Sequence, residues 1–138
     1  MKRFILLIAI FCSFAFISCS SSSGGDEAPI ITDFEFKSDP FSYSDISSAD
    51  VGDVVYLTFI VYDEDKDAKS AIISIKDAAT LADVEPETEV KMGSQTEKEE
   101  YYYTSFTPDT SGTFKFYIYV KDKSGNKSNI LSQNLTVH

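Results

Sequence analysis

Cysteine, histidine and tryptophan are scarce in this 138-residue chain, and their scarcity excludes several kinds of chemistry. Cys12 and Cys19 both lie near the N-terminus, so residues 28–138 contain no disulfide, thiol nucleophile or thiolate metal site. The single histidine is His138, the last residue, and chain ends are commonly poorly ordered. Gly-x-Ser-x-Gly, metal-binding histidine spacings and phosphate-binding loops are absent. The sequence therefore predicts a protein that is not an enzyme.

Basic residues are also few. Lys and Arg number 12 against 22 Asp and Glu, which gives a net charge of −10. Such a chain repels nucleic acid and anionic membrane surfaces, so no nucleic-acid partner is expected.

Pairs of acids can hydrolyse glycosides. With 22 acids, however, any surface would present some pair by chance.

One long apolar run is present, at the start of the chain. Lys2 and Arg3 precede the 14 mostly apolar residues 4–17, and Cys19 follows. A basic start, an apolar stretch of this length and small residues at its end are typical of a secretory signal. The run is shorter than the ~20 residues that a membrane-spanning helix needs. Residues 20–27 are Ser, Gly and acid, a composition typical of a flexible tether.

The residues around Cys19 resemble the signal of bacterial lipoproteins. The resemblance implies cleavage after residues 1–18 and attachment of acyl chains, such as palmitate, to the thiol and new amino group of Cys19. Ser20, rather than Asp, favours the outer membrane, and the Ser-rich segment with Asp26 and Glu27 resembles cell-surface lipoproteins of the Bacteroidetes. Ten basic and 22 acidic residues would then remain, a net charge of −12. The lipid anchor, rather than the protein surface, would therefore hold the chain to the membrane.

Residues 28–138 show the two-residue alternation of β-strands, and no helical periodicity stands out. The predicted strands span residues 30–36, 54–62, 71–75, 88–92, 101–107, 113–120 and 129–137. About seven short strands separated by turn residues predict one all-β domain, an antiparallel β-sandwich. Ile30, Thr32, Phe34 and Phe36 are expected to share one face of the first strand. The loop at residues 38–53 is expected to tuck Phe41, Tyr43 and Ile46 into an edge of the core.

Three segments resemble bacterial immunoglobulin-like domains. Residues 54–63 resemble their second strand, and residues 106–114 with 120–126 resemble the sixth strand and its following Asp-x-x-Gly-Asn turn. The resemblance covers most of residues 28–138 and implies an immunoglobulin-like fold. Such domains serve as spacers, adhesin modules, glycan-binding adjuncts and assembly subunits, so the fold leaves the function open.

Outward-facing tyrosines are the candidate ligand-binding residues. Alternation places four of them on neighbouring strands of one sheet: Tyr56, Tyr62, Tyr101 and Tyr103. Tyr117 and Tyr119 are expected outward on the opposite sheet. Exposed rings can stack on the C–H faces of sugars, and tyrosine is also enriched at protein interfaces. In the alternative interpretation these rings only stabilise the sheet through cross-strand pairs.

An acid-rich turn provides weak Ca²⁺ candidates, namely Asp63, Asp65 and Asp67. Cadherin-like domains use Asp-x-Asp segments in a comparable place, and Ca²⁺ takes six to eight oxygen ligands. The ligand set here is incomplete, with Ser74 at the twelfth position, so a solvated turn is the favoured interpretation. For Asp122 with Asn126, a turn-forming role is likewise favoured over metal binding.

Together these features predict an outer-membrane-anchored, non-catalytic binding lipoprotein that captures glycan through exposed tyrosines. The alternative is a structural or assembly subunit that docks on another cell-envelope protein.

Overall fold

The computed structural model describes residues 27–138, which form eight β-strands in two facing sheets. The strands are β1 Ile30–Lys37, β2 Ser48–Ala49, β3 Val55–Tyr62, β4 Ala68–Asp77, β5 Asp83–Lys91, β6 Glu99–Phe106, β7 Gly112–Asp122 and β8 Leu131–Val137. The predicted signal, Cys19 and residues 20–26 of the tether lie outside the described residues. Within residues 27–138, no helix has the length and hydrophobicity that a membrane crossing requires.

The strand order confirms the predicted immunoglobulin-like sandwich. One sheet has the order β1-β3-β6 and the other β2-β8-β7-β4-β5. These orders match the A-B-E strands and the G-F-C-C′ strands of immunoglobulin domains. The strand that the sequence did not predict is β2, which pairs in parallel with β8 over only two residues. Two residues are too short for side-chain alternation to be recognised in a sequence.

The core lies between the sheets and is filled by the predicted inward positions. In β7 every second residue from Phe114 to Val120 is buried, and in β3 every second residue from Val55 to Val61 is buried. The rings of Phe36, Phe106 and Phe116 meet at the centre, with the Phe116 centroid 4.9 Å from Phe36 and 5.1 Å from Phe106. Burial of one such side chain contributes about 1.5–3 kcal/mol.

The predicted facing of β1 is wrong in its first half. Ile31, not Ile30, joins Phe34 and Phe36 in the core. The cause is a β-bulge: Thr32 pairs with Ile60 but Glu35 pairs with Thr58, so β1 has one extra residue there. Asp33 adopts a φ of 53° at this place, and the bulge turns the strand before it to the other face.

The expectation for the loop after β1 is wrong for two of its three residues. Phe41 and Tyr43 are exposed, whereas Ile46 is half-buried and packs against the core as predicted. The Phe41 ring packs against that of Tyr103, and the Tyr101 hydroxyl donates to the carbonyl oxygen of Pro40. The loop therefore crosses the outer surface of the three-stranded sheet instead of entering the core.

Candidate functional site

The strands that hold the predicted tyrosines are neighbours, as expected. β3 and β6 pair antiparallel, with Thr58 opposite Tyr103 and Ile60 opposite Tyr101. Thr104 and Phe106 are buried on the inner face, so Tyr101 and Tyr103 take the outer face by alternation. The predicted orientation of these tyrosines is thereby confirmed.

Tyr103 is the centre of a group of four aromatic rings on the outer face. Its ring centroid lies 6.2 Å from that of Tyr56, 6.4 Å from Tyr101 and 5.7 Å from Phe41. Tilted and edge-to-face arrangements at these distances are attractive. We refer to Phe41, Tyr56, Tyr101 and Tyr103 as the aromatic cluster. The sequence does not predict Phe41 as part of the site, because its apolar ring favours an edge of the core, although its polar loop neighbours are typical of an exposed segment.

The cluster forms a surface that is apolar and accessible. Phe41 is 73% exposed and Tyr101 is 40% exposed. Thr58, between Glu35 and Tyr103 on the outer face, is only 1% exposed, so side chains cover the sheet beneath the cluster. The rings therefore present a raised platform to solvent.

Two contacts hold the loop of Phe41 against the sheet. The Tyr101 hydroxyl donates to the carbonyl oxygen of Pro40, and Lys37 Nζ donates to the carbonyl oxygen of Ser42 at 2.8 Å. These hydrogen bonds join the loop to both edge strands of the sheet, β1 and β6. Phe41 thereby lies beside Tyr103, a position that the sequence alone does not predict.

A polar pair borders the cluster. Lys37 Nζ lies 3.1 Å from Glu35 Oε2, and Lys37 is opposite Tyr56 in the β1–β3 pairing. The pair presents the Glu35 carboxylate as an acceptor without adding net charge, because Lys37 lies beneath it and neutralises it. An apolar platform with a balanced polar border suits a ligand with ring faces and hydroxyl groups.

Tyr62 lies outside the cluster. Among residues 27–138, the ring contacts that join Tyr56, Tyr101 and Tyr103 do not extend to Tyr62. Its hydroxyl donates to Glu64 Oε2 at 2.7 Å, and Glu64 also forms an ion pair with Lys98. The hydrogen bond from Lys98 and then that from Tyr62 lower the pKa of Glu64, while the hydrogen bond to Glu64 raises the pKa of Tyr62. The structure thus assigns Tyr62 to an exposed polar group.

The acid-rich turn uses its first carboxylate to hold its own backbone. Asp63 is buried and accepts the backbone N–H of Asp65 at 3.1 Å and that of Asp67 at 3.0 Å. Asp65 accepts the N–H of Glu27 at 3.2 Å. In the part of the chain that the structure describes, no three acidic, cysteine or histidine residues form a group able to hold a metal ion. This geometry favours the turn role over the Ca²⁺ role.

Asp122 has the turn-forming role that the sequence indicated. Its Oδ1 accepts the backbone N–H of Asn126 and its Oδ2 accepts the side-chain amide of Asn126, both at 2.8 Å.

On the five-stranded sheet, Tyr117 and Tyr119 are half-exposed and face outward, as predicted.

Comparisons with known proteins identify a fold and no family. No protein-family model and no curated protein sequence matches the chain. A Niemann-Pick type C2 protein from the Japanese carpenter ant is similar in structure, with a TM-score of 0.51 and 12% identity over 91% of this chain and all of that one. The PKD domain of an M14-like peptidase from a Thermoplasmatales archaeon has a TM-score of 0.47 and 20% identity over 80% of this chain and 92% of that one. At such identities the likeness extends to the fold alone.

Proposed function

We propose that this protein is a lipid-anchored, non-catalytic module that binds a neutral glycan through the aromatic cluster. The observation that carries the proposal is the contact of three rings with Tyr103 on an exposed sheet face. Aromatic surface that is usually buried is open to solvent here. Exposed apolar patches with a polar border are a recognised mark of binding sites.

The border of the cluster supports a neutral ligand. The exposed Glu35 carboxylate can accept from sugar hydroxyl groups, while Lys37 cancels its charge. A free acid at this place would repel uronic or sulfated sugars, and a free lysine would favour them. The balanced pair favours a glycan without charged groups.

The lipid anchor is the second part of the proposal. Residues 20–27 would separate the domain from acyl chains on Cys19, with the outer membrane as the site of attachment. A short polar tether leaves the glycan-binding face free to meet polymer in the surrounding medium.

Affinity electrophoresis of the full-length protein, purified in detergent, tests the glycan proposal. Native gels would contain dextran, mannan, xylan or a mixed-linkage β-glucan, each run with Ca²⁺ and with a chelator. We expect retardation by at least one polymer, lost in a Tyr101→Ala, Tyr103→Ala variant. It should be independent of Ca²⁺, because the Asp63 carboxylate is occupied by the turn.

A Tyr117→Ala, Tyr119→Ala variant is the matched control, since it removes two tyrosines from the opposite sheet. Equal retardation of both double variants would exclude the aromatic cluster as the binding site. An absence of retardation by every neutral polymer would contradict the proposed ligand class.

The edge of β6 favours a second candidate, the assembly subunit. Asp63 N–H donates to the carbonyl oxygen of Lys98 at 2.7 Å, so this opposed pair is hydrogen-bonded. Because such pairs alternate with non-bonded pairs, the backbone groups of Tyr101 and Tyr103 point away from β3. Among residues 27–138, β6 pairs only with β3. An added strand from another envelope protein could pair with this edge.

A proline at this edge tests the second candidate. Tyr103→Pro removes an N–H that points away from β3, whereas Tyr103→Ala keeps it. Loss of co-purification of an envelope protein in the proline variant, with retention in the alanine variant, would support edge pairing. Equal recovery of the same protein with both variants would exclude it.

A further inference from the structure

The outer face of the five-stranded sheet carries a second group of side chains that the aromatic cluster does not involve. On β7, Lys115, Tyr117, Tyr119 and Lys121 alternate with buried residues and therefore share the outer face. Lys127 is brought beside them by the bridge between its backbone and that of Lys121. We refer to these five residues as the lysine–tyrosine face.

The lysines of this face lie over the tyrosine rings. Lys115 Nζ is 5.4 Å from the ring centroid of Tyr117. Lys121 Nζ and Lys127 Nζ are 5.8 Å and 5.2 Å from the ring centroid of Tyr119. Cations within about 6 Å of a ring centroid are attracted to it, so the ammonium groups are held close to the sheet. Three cations are thus fixed along one strand and its following turn.

The strip formed by β7 and β8 is free of acid on its outer side, in a chain with 22 acidic residues. Besides the lysines and tyrosines of β7, its outward side chains are Thr113, Ser132, Asn134 and Thr136. The acids of the same sheet face lie on β5, where Asp83 forms an ion pair with Lys76 and Glu89 is opposite Ile72. The lysines of β7 therefore lie two strands away from these acids, and the charge of Lys76 on β4 is paired with that of Asp83.

We infer that the lysine–tyrosine face binds an acidic polysaccharide. The lysine ammonium groups would contact sulfate or carboxylate groups, while tyrosine edges and the hydroxyl and amide groups of β8 would contact sugar rings. Residues 115–121 extend over about 20 Å at ~3.4 Å per residue, long enough for several sugar units. The acidic remainder of the surface repels a polyanion, so binding is restricted to this strip.

The same polysaccharide, with and without sulfate groups, provides the test. The full-length protein would be run in native gels containing dextran sulfate or unmodified dextran. We expect retardation by dextran sulfate, with roughly fivefold weaker affinity in Lys115→Gln, Lys121→Gln, since each exposed charge pair contributes modestly. Lys66→Gln, Lys98→Gln is the matched control, because it removes the same charge elsewhere. Tyr119→Ser should also weaken binding although it leaves the net charge unchanged.

Two results would overturn the inference. Equal weakening in both lysine double variants would show that overall charge governs retardation. Stronger retention by single-stranded DNA or by phosphatidylserine vesicles than by dextran sulfate would assign the face to another class of polyanion. Neither result bears on neutral-glycan binding by the aromatic cluster, because the two groups lie on opposite sheets.

Discussion

Buried carboxylates with structural roles account for the two acidic turns of this chain. Asp63 and Asp122 are buried, and each accepts a backbone N–H within its own turn. Their carboxylates replace backbone hydrogen-bond partners where strands end. The Asp-rich segment at residues 63–67 and the segment at residues 122–126 are thus each a turn stabilised by its first aspartate.

Thr104 provides a stability prediction at one residue. Its hydroxyl oxygen is buried in the core and has no hydrogen-bond partner within residues 27–138. Replacement of an unpartnered polar group by an apolar isostere removes a desolvation cost, so Thr104→Val should raise the free energy of unfolding by about 1 kcal/mol. Urea denaturation measures the change. Thr58→Val is the control, because the Thr58 hydroxyl donates to the backbone carbonyl oxygen of Glu35; an equal gain there would contradict the explanation.

Tyr102 provides a pH prediction. Burial and the hydrogen bond to Glu100 raise the pKa of Tyr102 above its ordinary value. Above about pH 10 the unfolded chain releases this proton and the folded chain keeps it, so the free energy of unfolding falls as pH rises. Tyr102→Phe should reduce that fall by up to about 1.4 kcal/mol per pH unit. Urea denaturation between pH 9 and 11 measures both slopes; identical slopes would exclude Tyr102 as the cause.

At the scale of whole strands, the edges of the two sheets are unequally protected against pairing with a strand of another chain. The N–H and carbonyl of Ile31 in β1 both bond to the side-chain amide of Asn129, at 2.8 and 2.9 Å. The edge strand β5 contains Pro86 and three glutamates, features that discourage strand addition. The edge of β6 contains adjacent tyrosines instead, which favours this strand as a docking edge.

Removal of the Asn129 amide tests the protection of β1. Asn129→Ala should lower the free energy of unfolding by about 1–3 kcal/mol, because the half-buried backbone groups of Ile31 lose their partners. Chemical denaturation measures the loss, and Asn134→Ala on the exposed side of β8 is the control. Similar small changes in both variants would show that water replaces the amide without cost.

Most strands could be predicted because their side chains alternate without interruption. The segment from Phe114 to Val120 is an example, since its apolar residues all face the core. Side-chain alternation alone does not reveal the bulge at Asp33. Its one inserted residue reverses the facing of every β1 residue before it. For the candidate site, alternation placed Tyr101 and Tyr103 outward. The position of Phe41 depends on a hydrogen bond between Tyr101 and Pro40, which are distant in sequence.

At the scale of the whole molecule, the sandwich presents two outer faces with different chemistry. The aromatic cluster on the three-stranded sheet has a charge-balanced border, and the lysine–tyrosine face on the five-stranded sheet is cationic. A single domain could therefore hold a neutral and an acidic glycan on opposite sides.

Membrane attachment is a property of the whole chain and has its own test. If Cys19 carries the anchor, Cys19→Ser should move the protein from the membrane fraction to the soluble fraction, because stable anchoring needs the attached acyl chains. Fractionation followed by immunoblotting measures the distribution, with Cys12→Ser as the control. Retention of the Cys19→Ser variant in membranes would exclude Cys19 as the anchor.

The most direct test of the two-face account is an NMR titration of protein with isotopically labelled tyrosine and phenylalanine rings. A neutral polysaccharide that retards the protein should shift the ring signals of Phe41, Tyr101 and Tyr103, whereas dextran sulfate should shift those of Tyr117 and Tyr119. Shifts of the same rings with both polymers, or of rings outside these two groups, would contradict the account.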